Sequence, residues 1–343
     1  MFIIKNIILR WNITEKCSLG CSHCYNKDFR NKEEWHLSEA DIMDIINSLP
    51  EKSIRMIKLS GGEPFESELL SFICNNLLEK GISYGISSNG LFNYYDYEEI
   101  FSKYNCEFVT FSVDGVTQKH FDTFRKKSQA NKVFHNIENI KRYHPKTKIA
   151  INLVLNKDNY QDILIILDLL FNKYKVDKVN VTQLSIINEY TRQKSCDKSE
   201  ILGTLIDIKK YMANNITNEH YYPNVQLSIG CNKVYNDMSP NLIDEKFNLN
   251  YRCNAGKTLG VVYGSGFLLP CEKAIYSESV RDVNFEEYSL LKHDFWEIWD
   301  RPLFNKVYEY DLMFRESVLK ARNINCESCE YRHFNCGECV FKT

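Results

Sequence analysis

Apolar residues in this chain fall into short alternating runs separated by longer stretches with helical spacing. Residues 6–12 read as a strand entering a cysteine-bearing loop. Ser38 with Asp41 marks the capped start of a helix whose Ile42, Ile45, Ile46 and Leu49 share one face. The alternation then repeats: strand 54–60 and helix 67–80 closed by Gly81, strand 82–87 and helix 96–104, strand 107–113 and helix 131–143, strand 148–155 and helix 159–173, then strand 178–184. Six strands separated by helices predict an α/β fold whose parallel sheet is built from right-handed crossovers. Strands this regular predict closure into a barrel or partial barrel, with its chemistry at the carboxyl ends of the strands, where the βα loops gather.

The pattern changes after residue 184. Residues 185–250 carry a helix near 199–213 and a polar, Asn-rich stretch, and read as a connector; residues 251–343, with Gly-rich turns and clustered cysteines, read as a small metal-stapled module. The predicted organisation is therefore 1–184, 185–250 and 251–343, without internal repeats or low-complexity segments. A chain of 343 residues with 44% hydrophobic content has enough apolar surface for one large core. The net charge of −2, with Lys and Arg scattered among Asp and Glu, announces no basic face, so nucleic acid is not an expected partner. Met1–Leu9 is apolar but carries Lys5 and Asn6 and lacks a small-residue cleavage site, so it reads as a strand. No apolar run approaches the roughly 18 residues that a membrane span needs. The expectation is a cytoplasmic protein without a membrane partner.

Thirteen cysteines change the picture, because thiols stay reduced in the cytosol and short fixed spacings there point to metal ligands. They fall into three sets: Cys17, Cys21 and Cys24; Cys253 and Cys271; and Cys326, Cys329, Cys336 and Cys339. Of the remainder, Cys74 beside Phe72 and Ile73 and Cys106 at a strand start read as small core hydrophobes, and Cys196 falls in a polar loop. Cys17-Ser-Leu-Gly-Cys21-Ser-His-Cys24 places three thiolates within eight residues. A [4Fe–4S] cluster usually takes four cysteines, so three leave one iron open to an exogenous ligand. The alternative is a zinc site that adds His23, which would have to turn the same way as the ligands on either side. Four further motifs close predicted strands or follow them: Ser60-Gly61-Gly62-Glu63-Pro64, Ser88-Asn89-Gly90, Phe111-Ser112-Val113-Asp114-Gly115, and His120-Phe121-Asp122-Thr123-Phe124-Arg125. Each is also, by itself, an ordinary turn or helix start.

Taken with its position, the C-x3-C-x2-C triplet resembles the signature of the radical S-adenosylmethionine (radical SAM) superfamily, with Tyr25 as the aromatic beside the third cysteine. That resemblance implies a (βα)6 partial TIM barrel, a [4Fe–4S] cluster on Cys17, Cys21 and Cys24, and S-adenosylmethionine bound at the open iron. Gly61, Gly62 and Glu63 resemble the family's GGE motif, whose glycines let backbone approach the methionyl group and whose Glu accepts from its ammonium. Ser88 and Asn89 resemble its T-N-G, and Ser112 and Asp114 its S-x-D-G, which place polar groups near the cofactor's ribose and carboxylate. Arg125 echoes an H-D-x-x-R pattern of one branch.

Cys253-x12-Gly266-x4-Cys271 followed by Cys326-x2-Cys329-x6-Cys336-x2-Cys339 resembles the SPASM extension, a small cysteine-rich C-terminal domain that carries auxiliary [4Fe–4S] clusters. The usual C-x2-C-x5-C-x3-C is shifted by one residue, and the family's last cysteine is missing. Six cysteines, or seven with Cys231, fall short of the eight that two fully thiolate-bound clusters need, so either one auxiliary cluster is complete and another has an open or non-cysteine ligand, or only one is present. By the same resemblance Cys253, Cys271 and Cys339 would share one cluster and Cys326, Cys329 and Cys336 the other. The last four cysteines also have zinc-ribbon spacing. Glu272 resembles the proton acceptor of SPASM enzymes that oxidise an alcohol or thiol. Tyr263 and Tyr276, if not packing, would line a peptide groove.

The expected activity is hydrogen abstraction from a peptide undergoing a crosslink, thioether, epimer or oxidised side chain. Only 16 residues precede Cys17, so a leader peptide would need a separate recognition protein. An alcohol- or thiol-oxidising dehydrogenase on a small molecule or protein side chain is the alternative enzyme. A non-catalytic iron–sulfur or zinc-ribbon protein is the alternative of another class. A flavodoxin or ferredoxin would be the electron donor.

Overall fold

A computed structural model describes residues 6–24, 26, 37–104, 106–125, 128–214, 225–228, 255–272, 274 and 283–305. Within them the strands are β1 (Ile7–Thr14), β2 (Ile54–Gly61), β3 (Tyr84–Ser88), β4 (Phe108–Ser112), β5 (Lys148–Leu155), β6 (Lys178–Gln183), β7 (Val225–Ser228), β8 (Leu259–Val262) and β9 (Leu268–Leu269). The helices are α1 (Glu39–Ser48), α2 (Leu70–Glu79), α3 (Glu98–Ser102), α4 (Gln118–Asp122), α5 (Ala130–Tyr143), α6 (Ile163–Asp168), α7 (Glu189–Lys194), α8 (Lys198–Asn214) and α9 (Phe295–Trp299). One sheet runs β7-β6-β5-β4-β3-β2-β1-β8-β9. Every pairing is parallel except β8 with β9. The α/β partial-barrel expectation is therefore met.

The strands separate two faces by alternation. Ile7, Leu9 and Trp11 of β1, Ile57 and Leu59 of β2, and Ile149, Ile151, Leu153 and Leu155 of β5 are buried in one core cluster with Ile42, Ile45 and Ile46 of α1 and Ile73 and Leu77 of α2. Their neighbours Arg10, Asn12, Lys58, Ser60 and Asn152 occupy the other face, as period-two pleating requires. The predicted cap forms: Asp41 N donates to Ser38 Oγ at 3.2 Å while Ser38 N donates to Asp41 Oδ2 at 2.8 Å.

Three expectations are adjusted. The sheet does not end at residue 184: β7, from the segment read as a connector, pairs with β6, and β8, from the segment read as a metal module, pairs with β1. Helix 67–80 starts only at Leu70, because Pro64–Glu66 form a 3-10 turn that Ser67 closes through its N–H to Pro64 O. Helix 159–173 becomes α6 followed by a π-helical turn, Leu169–Lys173. Its predicted start is occupied otherwise, since Asn159 accepts from Asn156 N and donates to Asp114 O at 2.8 Å each.

Candidate active site

The carboxyl ends of β1 to β4 carry every barrel motif, as expected. Past β1 the chain makes the cysteine loop, and the Gly61-Gly62 turn after β2 packs directly against it. Gly62 N donates to Thr14 O at 2.6 Å and Glu63 N to Lys16 O at 2.7 Å. A Cβ on Gly61 would lie 2.2 Å from Thr14 O, and one on Gly62 would lie 2.1 Å from Lys16 O. Only glycine permits this approach, and Gly61 also needs its φ of +133°. Glu66 adds a second tie by accepting from Ser18 N at 2.9 and 3.0 Å and from Ser18 Oγ at 2.7 Å.

Farther along the loop, Ser22 N donates to Phe124 O at 3.1 Å, Cys24 N to Cys21 O at 3.3 Å, and Asn188 Nδ2 to Ser22 O at 3.0 Å. Cys21 is buried; Cys17 and Cys24 are half-buried. Among the described residues no three His, Cys, Asp or Glu side chains converge on a single metal ion. A cluster needs no such convergence, because each cysteine there holds its own iron.

Glu63 is buried, and its carboxylate is committed across the sheet. Oε1 accepts from Ser88 Oγ at 2.8 Å and Phe65 N at 3.3 Å, and Oε2 accepts from Asn89 N at 2.6 Å. Burial pushes its pKa up to about 7 against the pull of those donors. Ser88 Oγ in turn accepts from Gly90 N, and Asn136 Nδ2 donates to Gly90 O at 3.0 Å and to Phe92 O at 2.8 Å, which fixes the turn after β3.

Asp114 is fully buried beyond β4. Its Oδ2 accepts from Arg125 Nε at 2.9 Å and its Oδ1 from Val154 N at 3.1 Å. Arg125, also buried, extends Nη1 to 3.8 Å from Cys21 Sγ and Nη2 to 3.3 Å from His23 Nε2. Asp114, Arg125 and the cysteine loop are thus one connected group, and Ser112 lies half-buried at the end of β4. Cys271 is half-buried after β9. Glu272 turns to the sheet's polar face, where its Oε2 accepts from Arg10 Nη1 at 2.8 Å and its side chain is 16% exposed. Tyr25, Cys231, Cys253, Cys326, Cys329, Cys336 and Cys339 lie outside the described residues. Cys74 and Cys106 are core residues, and Cys196, in the loop between α7 and α8, is buried as well.

Four buried polar atoms at this end of the sheet have no hydrogen-bond partner among the described residues: Asn12 Nδ2, Glu15 Oε2, Ser22 Oγ and Asn89 Nδ2. Orphaned groups gathered around a loop of thiols suit a polar ligand. Burial pushes Glu15 up to about 7. Sequence reasoning passed over Asn12, Glu15 and Glu66, which stand in no motif; the polar Asn12 inside an apolar strand was the available signal.

Residues 11–170 match the Radical SAM superfamily model. An S-adenosylmethionine-dependent nucleotide dehydratase from Psychrobacter lutiphocae is 26% identical over 287 residues, which cover 72% of this chain and 95% of that protein. Among solved structures, Streptococcus suis SuiB bound to S-adenosylmethionine superposes with a TM-score of 0.74 at 20% identity, over 98% of this chain and 74% of that one. SuiB bound to its precursor peptide SuiA gives 0.65 at 20% identity, over 88% and 66%. The anSMEcpe structure with bound AdoMet gives 0.67 at 14% identity, over 97% and 88%. At these identities the structural likenesses establish the fold. With the family match laid over the cysteine loop and the strand-end turns just described, residues 11–170 of the chain carry a radical SAM superfamily domain.

Proposed function

We propose that Cys17, Cys21 and Cys24 hold a [4Fe–4S] cluster, that S-adenosylmethionine binds beside it, and that the substrate is a peptide undergoing modification. The carrying observation is the three-thiol loop locked onto the Gly61-Gly62 turn by the 2.6 and 2.7 Å backbone bonds. When bound, these groups supply reductive cleavage of S-adenosylmethionine and hydrogen abstraction by a 5′-deoxyadenosyl radical. The chain's own residues do the rest. The two glycines keep the loop and turn in contact, Glu63 orients the Ser88-Asn89 turn, and Asp114 aims Arg125 at the Cys21 sulfur. Buried Leu19 and Phe124 keep water from the loop.

The peptide reading is supported by the fold shared with SuiB, solved with a precursor peptide. Cys253, Cys271, Cys326, Cys329, Cys336 and Cys339 would hold one or two auxiliary clusters in that reading. A second reading, a small phosphorylated substrate, is favoured by the likeness to a nucleotide dehydratase along nearly its whole length. Oxidation of an alcohol or thiol would use Glu272 as proton acceptor.

Electron paramagnetic resonance of the anaerobically reconstituted, reduced protein tests the cluster assignment. The wild type should give a [4Fe–4S]+ signal that shifts on adding S-adenosylmethionine, and replacing Cys17, Cys21 and Cys24 by Ala should remove that responsive signal while other iron stays bound. A responsive signal in the triple variant would overturn the assignment. Zinc in place of the residual iron would overturn the auxiliary clusters.

A further inference from the structure

We propose that the sheet's polar face contains an anion subsite, formed by Lys58 with Arg10 and Lys178, which takes an oxyanion of the substrate. The proposal deepens the functional reading above and relies on it only for what that anion is attached to.

Lys58 sits in the middle of β2 between Ile57 and Leu59, both fully buried in the core, so its side chain leaves the opposite face. Register sets it beside Arg10 of β1 and Gly85 of β3. Lys178 opens β6, four strands away in the sheet order. In a flat sheet that separation is roughly 19 Å. Yet the charge of Lys178 acts on Lys58, as do those of Arg10 and Glu272. The partial barrel supplies the curvature that turns the interior faces of these strands toward one another.

Among the described residues, Arg10, Lys178 and Glu272 are the charges that act on Lys58, and Glu272 is itself engaged by Arg10 at 2.8 Å. Lys58 is mostly buried and makes no hydrogen bond or ion pair among the described residues; its Nζ lies 5.9 Å from the Phe108 ring centroid. Burial, with Arg10 adding to it, pushes Lys58 down to about 7, and burial lowers Lys178 as well. A cation kept in such a place without a direct ion pair costs stability, and an incoming anion offsets that cost.

Position gives the subsite its use. Lys58 precedes Gly61 by three residues, so it lies roughly 10 Å along the strand below the turn that meets the cysteine loop. Neutral pairs line the interior as well: Ser60 Oγ donates to Asn12 Oδ1 at 2.7 Å and Asn180 Nδ2 to Asn152 Oδ1 at 2.9 Å. An anion held at Lys58 would leave the rest of a small or extended substrate reaching toward the strand ends. Its chemistry is that of a phosphate ester or of a carboxylate side chain.

Calorimetric titration of the reconstituted, S-adenosylmethionine-loaded protein with inorganic tripolyphosphate and, separately, with triglutamate tests this. At least one probe should bind, and the Lys58→Met, Lys178→Met double variant should weaken it by tenfold or more. Tripolyphosphate alone would mark the source as a phosphorylated small molecule, triglutamate alone as an acidic peptide. Binding of the wild type near pH 8 should also take up protons, read from buffers of different ionisation enthalpy, because the anion recharges Lys58. That measurement stands even if the double variant does not fold. Failure of both probes to bind, or binding that survives both substitutions without proton uptake, would overturn the subsite. S-adenosylmethionine affinity, measured on the same samples, reports the cofactor site separately.

Discussion

Asp114 illustrates what one residue does here, because its two oxygens join β5 backbone to Arg125, and Arg125 reaches Cys21. Asp114→Asn leaves the buried guanidinium without its counter-charge, so it should cost about 3–5 kcal/mol by denaturant unfolding of the apo protein. A loss under 1 kcal/mol would mean that water reaches Arg125 freely. Glu63→Ala removes three acceptor contacts at once and should weaken S-adenosylmethionine binding on the order of tenfold to a hundredfold, with cluster iron unchanged. Unchanged affinity would make Gly61-Gly62-Glu63 a turn and nothing more. Asp114, Arg125 and Glu63 were legible as motif residues. Their partners were not, since a carboxylate that serves Ser88 and Asn89 depends on β2 lying beside β3. Lys58 was illegible for another reason: a net charge of −2 says nothing about which cations face inward.

At the level of elements, glycines separate a turn from a contact. Gly81, at φ +69°, has nothing within 4 Å of an added Cβ, so Gly81→Ala should cost about 1–2 kcal/mol of backbone strain and leave cofactor affinity alone. Gly62→Ala sets a Cβ 2.1 Å from Lys16 O and must displace the cysteine loop, so it should abolish measurable S-adenosylmethionine binding at modest cost in stability. Equal effects of the two substitutions on binding would contradict the docking of turn and loop. Strand existence was readable from period-two burial, and β5 falls at its predicted bounds. Helix starts were less readable where a side chain served another element, as Asn159 does when it reaches Asp114 O in place of opening α6. β7, β8 and β9 are short, and only their pairing within the sheet identifies them.

For the molecule as a whole, the curved sheet puts the core on one face and charge on the other. The Lys58 ammonium is held near 7 in the fold against 10.5 when exposed, so the unfolded chain binds more protons between those values. Stability should rise with pH across that window by roughly 3–5 kcal/mol relative to Lys58→Met, and the deficit should persist below pH 7. Arg10, Glu272 and Lys178 are the charged groups acting on it, and burial lowers Lys178 as well. Parallel unfolding curves for the two proteins from pH 6 to 10 would place Lys58 in water. The loop that follows β1 is tested most directly by anaerobic turnover of S-adenosylmethionine with dithionite, read as 5′-deoxyadenosine by liquid chromatography. Wild-type protein should form 5′-deoxyadenosine and methionine in equal amounts, and the Cys17→Ala, Cys21→Ala, Cys24→Ala variant should form none. Comparable 5′-deoxyadenosine from the triple variant, or none from a wild type whose cluster iron is present, would contradict the assignment.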